Sequence, residues 1–271
     1  RNNMGIVSRV RLAQTCHRTY LVVGPSFKDT GTAIRTHGRE HVLRYAAAKN
    51  KPIVMLEAHV ELGCRMTSMV AAAAAHAGHV EILAYIAKLH PKWVYETMEV
   101  SSSAGNAECL AFALGLHGMK ESGVFMSSAS ASATTSVFYN RSNCLAVFHR
   151  FGLAMDRVLV ALAAQQGNMD CLQTMVALGC ERDYSAIETA ITRDKTEALK
   201  FLHGNGWPWH TDNRACYCAA RSGSLKCLLY LRDQGCAWDV GVTAAAARSG
   251  QLDALMQLHT EGCPWNSRTI K

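Results

Sequence analysis

Residues 219–239 read AARSGSLKCLLYLRDQGCAWD, and residues 246–266 read AARSGQLDALMQLHTEGCPWN. The second stretch repeats the first at an offset of 27 residues, and fainter copies run back to about residue 44. With the glycine of Ser-Gly as anchor, Gly250, Gly223, Gly167, Gly105 and Gly78 share one register. Asp194, Asn140 and Lys51 fill the remaining anchor slots, which makes about eight units over residues 44–271. Most anchor spacings are 27, while the step to Gly223 is 29 and the step to Asn140 is 35. The longest step holds an insertion near residues 118–132, rich in Ser, Ala and Gly, expected as an exposed loop or an extended helix start.

Every unit carries the same parts. A small-residue segment precedes the anchor, as in residues 71–77, 160–166 and 243–249. It reads as a short first helix ending at a residue that tolerates left-handed backbone: Gly freely, Asn or Asp with little strain. Apolar residues then fall two, five and eight positions beyond the anchor: Val80, Leu83, Ile86; Leu225, Leu228, Leu231; Leu252, Leu255, Leu258. That spacing predicts one stripe of a second helix. A stop glycine follows twelve positions after the anchor, at Gly63, Gly179, Gly206, Gly235 and Gly262. One such helix pair cannot bury its stripe alone, so neighbouring pairs must stack. The expected fold is an all-α solenoid of helix-turn-helix repeats.

Composition agrees. Only five of the 271 residues are proline, and much of the 49% hydrophobic content is alanine, the best helix former. No apolar run approaches the roughly 18 residues of a membrane span, so the chain reads as soluble. Eleven cysteines in a long chain fit reduced thiols in an intracellular, cytoplasmic setting better than a secreted disulfide framework. The net charge of +7 resides entirely in residues 1–50, which hold nine Lys/Arg and two Asp/Glu. The rest of the chain is balanced. Residues 1–43 lie outside the repeat; their arginines, with no acid before Asp29, fit an organelle-targeting leader or a degenerate N-terminal cap. Thr269, Ile270 and Lys271 read as the start of another first helix, so the chain is expected as a monomer or a part of a larger chain.

The layout Ala-Ala-x-x-Gly-x-Leu with a later Gly, seen in AARSGQLDALMQLHTEGCPWN, resembles the ankyrin repeat. The resemblance covers roughly residues 44–271 as pattern. It departs in period, 27 against about 33, and in lacking the Thr-Pro-Leu-His start of the first helix. The missing residues correspond to the protruding β-turn finger, so short connectors such as residues 237–239 and 264–266 are expected instead. The family implies a protein-binding scaffold without catalysis.

Most residues that suggest chemistry sit at fixed repeat positions. Cys109, Cys144, Cys171 and Cys227 lie four residues after an anchor, and Cys64, Cys180, Cys236 and Cys263 thirteen after. A small buried side chain explains them. Zinc would need close pairs, and Cys216-Tyr217-Cys218 points its thiols to different sides of a helix, so no metal or cofactor is expected. His149, His203 and His259 stand nine after an anchor, flanking the apolar stripe. Trp93, Trp209, Trp238 and Trp265 stand fifteen after, beside Trp207. Packing between successive pairs is favoured for them over an exposed stacking ladder, because Asp239, Asn266 and His210 follow the rings where a nucleic-acid binder needs cations. No Gly-x-Ser-x-Gly, P-loop or Gly-x-Gly-x-x-Gly occurs, and no enzyme is expected.

Candidate partner-binding residues are the variable ones around the anchors, whose turns line up along one edge. They are His76 and His79; Phe138, Tyr139 and Arg141; Gln165; and Arg193, Arg221 and Arg248. Ser103, Asn106, Gln166, Asn168, Lys195, Ser224 and Gln251 accompany them. Exposed aromatics and arginines are the usual anchors of protein interfaces. The expectation is a scaffold binding another protein along this edge. A structural arm of a longer protein or large assembly is the second reading, and nucleic-acid association through the arginine ladder the third.

Overall fold

The computed structural model describes residues 39–50, 59, 65–90, 93–116, 123–208 and 213–266. Lys51, Gly63, Cys64, Trp209, His210, the leader up to residue 38, part of the insertion and residues 269–271 lie outside them. The chain divides into two compact units, residues 1–122 and 123–271. The first holds α1 (Arg39–Ala48), α2 (Ser68–Ala77), α3 (Val80–Leu89), α4 (Val94–Ala104) and α5 (Ala107–Leu116). The second holds α6 (Gly123–Phe138), α7 (Ser142–Arg150), α8 (Arg157–Gln166), α9 (Met169–Ala177) and α10 (Tyr184–Thr192). It continues with α11 (Thr196–Gly204), α12 (Arg214–Ser222), α13 (Leu225–Asp233), α14 (Val240–Arg248) and α15 (Leu252–Thr260). Among the described residues there is no strand.

Within each unit, first helices stack on first helices and second helices on second helices. In the first unit α1 packs on α2, α2 on α4, and α3 on α5. In the second, α6, α8, α10, α12 and α14 form one layer, and α7, α9, α11, α13 and α15 form the other. The all-α stacking of helix pairs read from the sequence is therefore the fold. Residues 123–132 of the insertion belong to α6, whose 16 residues make it the longest of these helices.

The anchors end the first helices by left-handed geometry. Gly78, Gly105, Gly167, Gly223 and Gly250 have positive φ, as do Asn140 and Asp194. The next backbone N–H then reaches back five residues: Asn168 N to Ala163 O, Lys195 N to Ala190 O, Ser224 N to Ala219 O, Gln251 N to Ala246 O. This six-to-one bond closes a Schellman end. Asn50, one position before the expected anchor Lys51, also carries a positive φ of 50°. A short amide side chain suits this backbone.

A second Schellman end stops each second helix of the second unit. Gly152, Gly179, Gly206, Gly235 and Gly262 are left-handed, and the residue after each donates back five positions, as Cys236 N does to Leu231 O. An apolar side chain belongs at that place because it packs onto the last helical turn. This accounts for Leu153, Cys180, Trp207, Cys236 and Cys263, which share this register.

The buried stripe lies four, five and eight residues past the anchor, as in Ile82, Leu83, Ile86; Cys171, Leu172, Met175; and Cys227, Leu228, Leu231. This corrects the expected stripe at two, five and eight. Val80 and Leu225 are only half-buried, and Leu252 is 65% exposed. At 3.6 residues per turn, positions four, five and eight share about 100° of arc, and position two falls outside it. The residues three and four before the anchor are small and fully buried: Ala74 and Ala75, Ser101 and Ser102, Ala163 and Ala164, Ala219 and Ala220. Small side chains there let first helices approach closely, while each buried Leu or Ile of the stripe contributes about 1.5–3 kcal/mol.

Candidate partner-binding edge

The turn between paired helices carries two classes of side chain. One class is consumed by the fold. Asn106, one residue past its anchor, donates through Nδ2 to the carbonyl oxygens of Ala75 and His76 in the preceding pair, at 2.8 Å each. Asn168 donates likewise to Val137 O. His79 Nε2 lies 3.2 Å from Ala48 O. A methyl group on Gly78 would sit 3.2 Å from Asn106 Oδ1, so the anchor glycine makes room for the side chain that reaches over it. Where the anchor is not glycine, its own side chain works forward. Asp194 Oδ1 accepts from Cys227 N at 3.1 Å, and Asn140 Nδ2 donates to Asp170 Oδ2 at 2.8 Å. Asn106, Asn168 and His79, all expected at a binding edge, thus hold one repeat to the next.

The other class points outward. Phe138 and Tyr139 are 58% and 53% exposed at the end of α6, their rings edge-on with centroids 5.3 Å apart. Arg141, at the start of α7, is exposed, and its backbone N–H donates to Ser136 O. Gln165 is half-buried at the end of α8. Arg193 caps α10, and Arg221 and Arg248 stand in the last turns of α12 and α14; all three are exposed. Arg248 donates from Nε to Ala244 O at 3.2 Å and from Nη2 to the Tyr217 hydroxyl at 3.4 Å, which holds its guanidinium across the gap between α14 and α12. These seven residues share one edge of the second unit. His76, exposed, and His79 bracket Gly78 in the first.

The tryptophans do not form an evenly exposed ladder. Trp207 is buried, with the Arg182 guanidinium 5.7 Å from its ring. Trp238 is half-buried under Arg232 at 4.5 Å. Trp93 stacks on His90, and the 39%-exposed Trp265 meets His259 edge-on. Each described ring is covered within its own unit. His203 also serves packing, its Nδ1 lying 2.8 Å from the Tyr230 hydroxyl in the next second helix.

Seven of the nine described cysteines are buried, and Cys180 and Cys218 are half-buried. Burial pushes the thiols of Cys109, Cys144 and Cys263 up to about 11, and those of Cys171 and Cys227 up to about 12. The neighbouring Cys236 thiol, together with burial, raises Cys216. Thiols held in this form are weak nucleophiles and weak metal ligands. Among the described residues no three His, Cys, Asp or Glu side chains are arranged to hold a metal ion. No described helix is long and apolar enough to cross a membrane.

The chain is similar to the ankyrin repeat domain of human ASB11, at 16% identity and a TM-score of 0.49, over 69% of this chain and 96% of that one. No family model matches the chain, and comparison with curated proteins gives no match.

The inter-repeat role of the residue after the anchor was not evident from the sequence. One signal was present: Asn106 and Asn168 are the same residue type at the same register, and so more constrained than a variable edge requires.

Proposed function

We propose that this chain is a protein-interaction scaffold whose partner lies along the turn and first-helix edge of residues 123–266. One observation carries the reading. Where the fold consumes His79, Asn106 and Asn168, Phe138 and Tyr139 remain 58% and 53% exposed, in the same edge as three exposed arginines. An exposed aromatic pair loses free energy in water and gains it against a partner surface, which is why such residues anchor interfaces.

The test is site-specific cross-linking. A photoreactive residue at Tyr139 or Arg221 is expected to capture the partner, and one at Lys226 on the second-helix face is not. Phe138→Ser with Tyr139→Ser is expected to abolish capture from both edge positions. Equal capture from Lys226, or capture unaffected by the double substitution, refutes the assignment.

A further inference from the structure

Resting on that reading, we propose that the partner presents an extended acidic segment, with carboxylates about three residues apart, to Arg193, Arg221 and Arg248. The three arginines belong to consecutive first helices, α10, α12 and α14, packed side by side. Arg221 and Arg248 hold the same register, two residues before their anchors, and Arg193 stands one residue before its own. Packed helices lie about 8–10 Å apart. An extended segment of polyproline II geometry advances about 3.1 Å per residue with three residues per turn. Side chains at i, i+3 and i+6 of such a segment laid across the helices share one face and meet the three guanidinium groups in turn.

Arg193, Arg221 and Arg248 form no ion pair among the described residues. The ion pairs among the described residues, Lys200–Glu197 and Arg232–Glu261, lie on second helices and their ends. The Asp194 carboxylate accepts from Cys227 N. Glu188 is the carboxylate on the first-helix face nearby, and its Oε1 lies 4.0 Å from Cys218 Sγ. Arg214 adds a further cation to the same face, its guanidinium 5.8 Å from the Tyr184 ring. Arg248 is already oriented by Tyr217 and Ala244, which lowers the cost of ordering it on binding. The planar guanidinium fork matches a carboxylate with two parallel hydrogen bonds.

A helix-end role and a nucleic-acid role for the same arginines have different consequences. A cation in the last turn of a helix also balances the helix dipole, for about 0.3–1 kcal/mol. That role shows as lost stability when the arginine is removed, whereas a binding role does not. A single-stranded nucleic acid needs aromatic faces between its cations. Here the side chains between the arginines include Thr192, Ser222 and Ser249, and the Tyr217 hydroxyl accepts from Arg248.

The experiment measures fluorescence anisotropy of the full chain with three labelled probes: a peptide with Glu at every third position among Gly and Ser, a peptide of the same composition with its glutamates in one block, and an oligouridine. The spaced peptide is expected to bind most tightly. Arg193→Gln, Arg221→Gln and Arg248→Gln are each expected to weaken it about two- to fivefold, with unchanged thermal midpoints. Equal affinity for spaced and blocked peptides overturns the proposal, as does tighter binding of the oligouridine or insensitivity to all three substitutions. If these failures come with cross-links from Tyr139 and Arg221 intact, the acidic occupant is wrong and the interaction edge stands. Loss of the cross-links as well removes both.

Discussion

Asn106 closes the end of the helix that precedes its own pair: its Nδ2 donates to both Ala75 O and His76 O, across 31 and 30 residues of chain. Carbonyls in the last turn of a helix have no partner within it. Here the next repeat supplies one, so the stacking interface and the helix end are the same structure.

Asn106→Ala should therefore cost about 1–2 kcal/mol, since His76 O loses the Asn106 donor and Ala75 O keeps only the longer bond from Gly78 N. Hydrogen exchange at the end of α2 should accelerate, with little change in the second unit. Gly78→Ala should cost a similar amount through its left-handed backbone at φ 84° and through the 3.2 Å approach to Asn106 Oδ1. Because both changes disturb one contact, the double variant should fall short of additivity by about 0.5 kcal/mol or more. Strict additivity in urea unfolding would show that the two residues act separately.

The anchors that are not glycine have a different chemistry. Asp194 tolerates a φ of 52° and uses its carboxylate to accept from Cys227 N. Asp194→Gly should be close to neutral, within about 0.5 kcal/mol, because relief of the backbone offsets loss of the bond. Asp194→Ala keeps the strained backbone without the bond and should lose about 2 kcal/mol. Thermal melts of the two variants decide the point; an alanine variant as stable as the glycine variant would remove the role assigned to the carboxylate.

The anchor rhythm is readable because left-handed backbone selects Gly, Asn or Asp whatever the neighbours do. Counting by 27 ignores that chemistry and reaches Lys51, next to the left-handed Asn50. The stripe is misplaced for a similar reason. Leucines at 225, 228 and 231 and at 252, 255 and 258 look like one face. Which face a helix buries depends on its mate: Cys227, expected as a small buried side chain, lies on the inner face, and Leu225 is only half-buried. Some of the side chains expected along the turn edge serve the fold instead. Phe138, Tyr139 and the arginines stand out because nothing in the repeat requires them, whereas the use of Asn106 and His79 depends on a carbonyl about 30 residues earlier that only stacking brings near.

The connectors depend on aspartate caps. Asp156 accepts from Leu159 N, Asp183 from Ser185 N, and Asp239 from Gly241 N and Val242 N as well as from Asn213 Nδ2. Alanine at 156 or 183 should cost about 1 kcal/mol, and at 239 up to about 2 kcal/mol, since more donors are orphaned. The Ser185 hydroxyl and N–H hold the Asp183 carboxyl below its ordinary value of 3.8. Its contribution is therefore present above that pH and lost as pH falls further. Thermal midpoints at pH 7 should rank Asp239→Ala as the least stable of the three.

Alkaline pH should act through the core cysteines. An exposed thiol ionises near 9.0, whereas burial raises Cys171 and Cys227 to about 12. The unfolded chain therefore releases protons that the folded chain retains. Stability from these thiols is complete below about pH 9 and is lost as pH climbs from there toward 12. Thermal midpoints should hold between about pH 7 and 8.5 and fall steeply by about pH 10.5. Replacing Cys171 and Cys227 by alanine should lower the midpoint at neutral pH, through the lost packing, and flatten the decline above about pH 9. A disulfide reagent at mildly alkaline pH should modify the half-buried Cys180 and Cys218 well before the fully buried Cys144, Cys171 and Cys227. Uniform modification in the native state, or a decline of equal slope in the alanine variant, would show that the alkaline transition arises elsewhere.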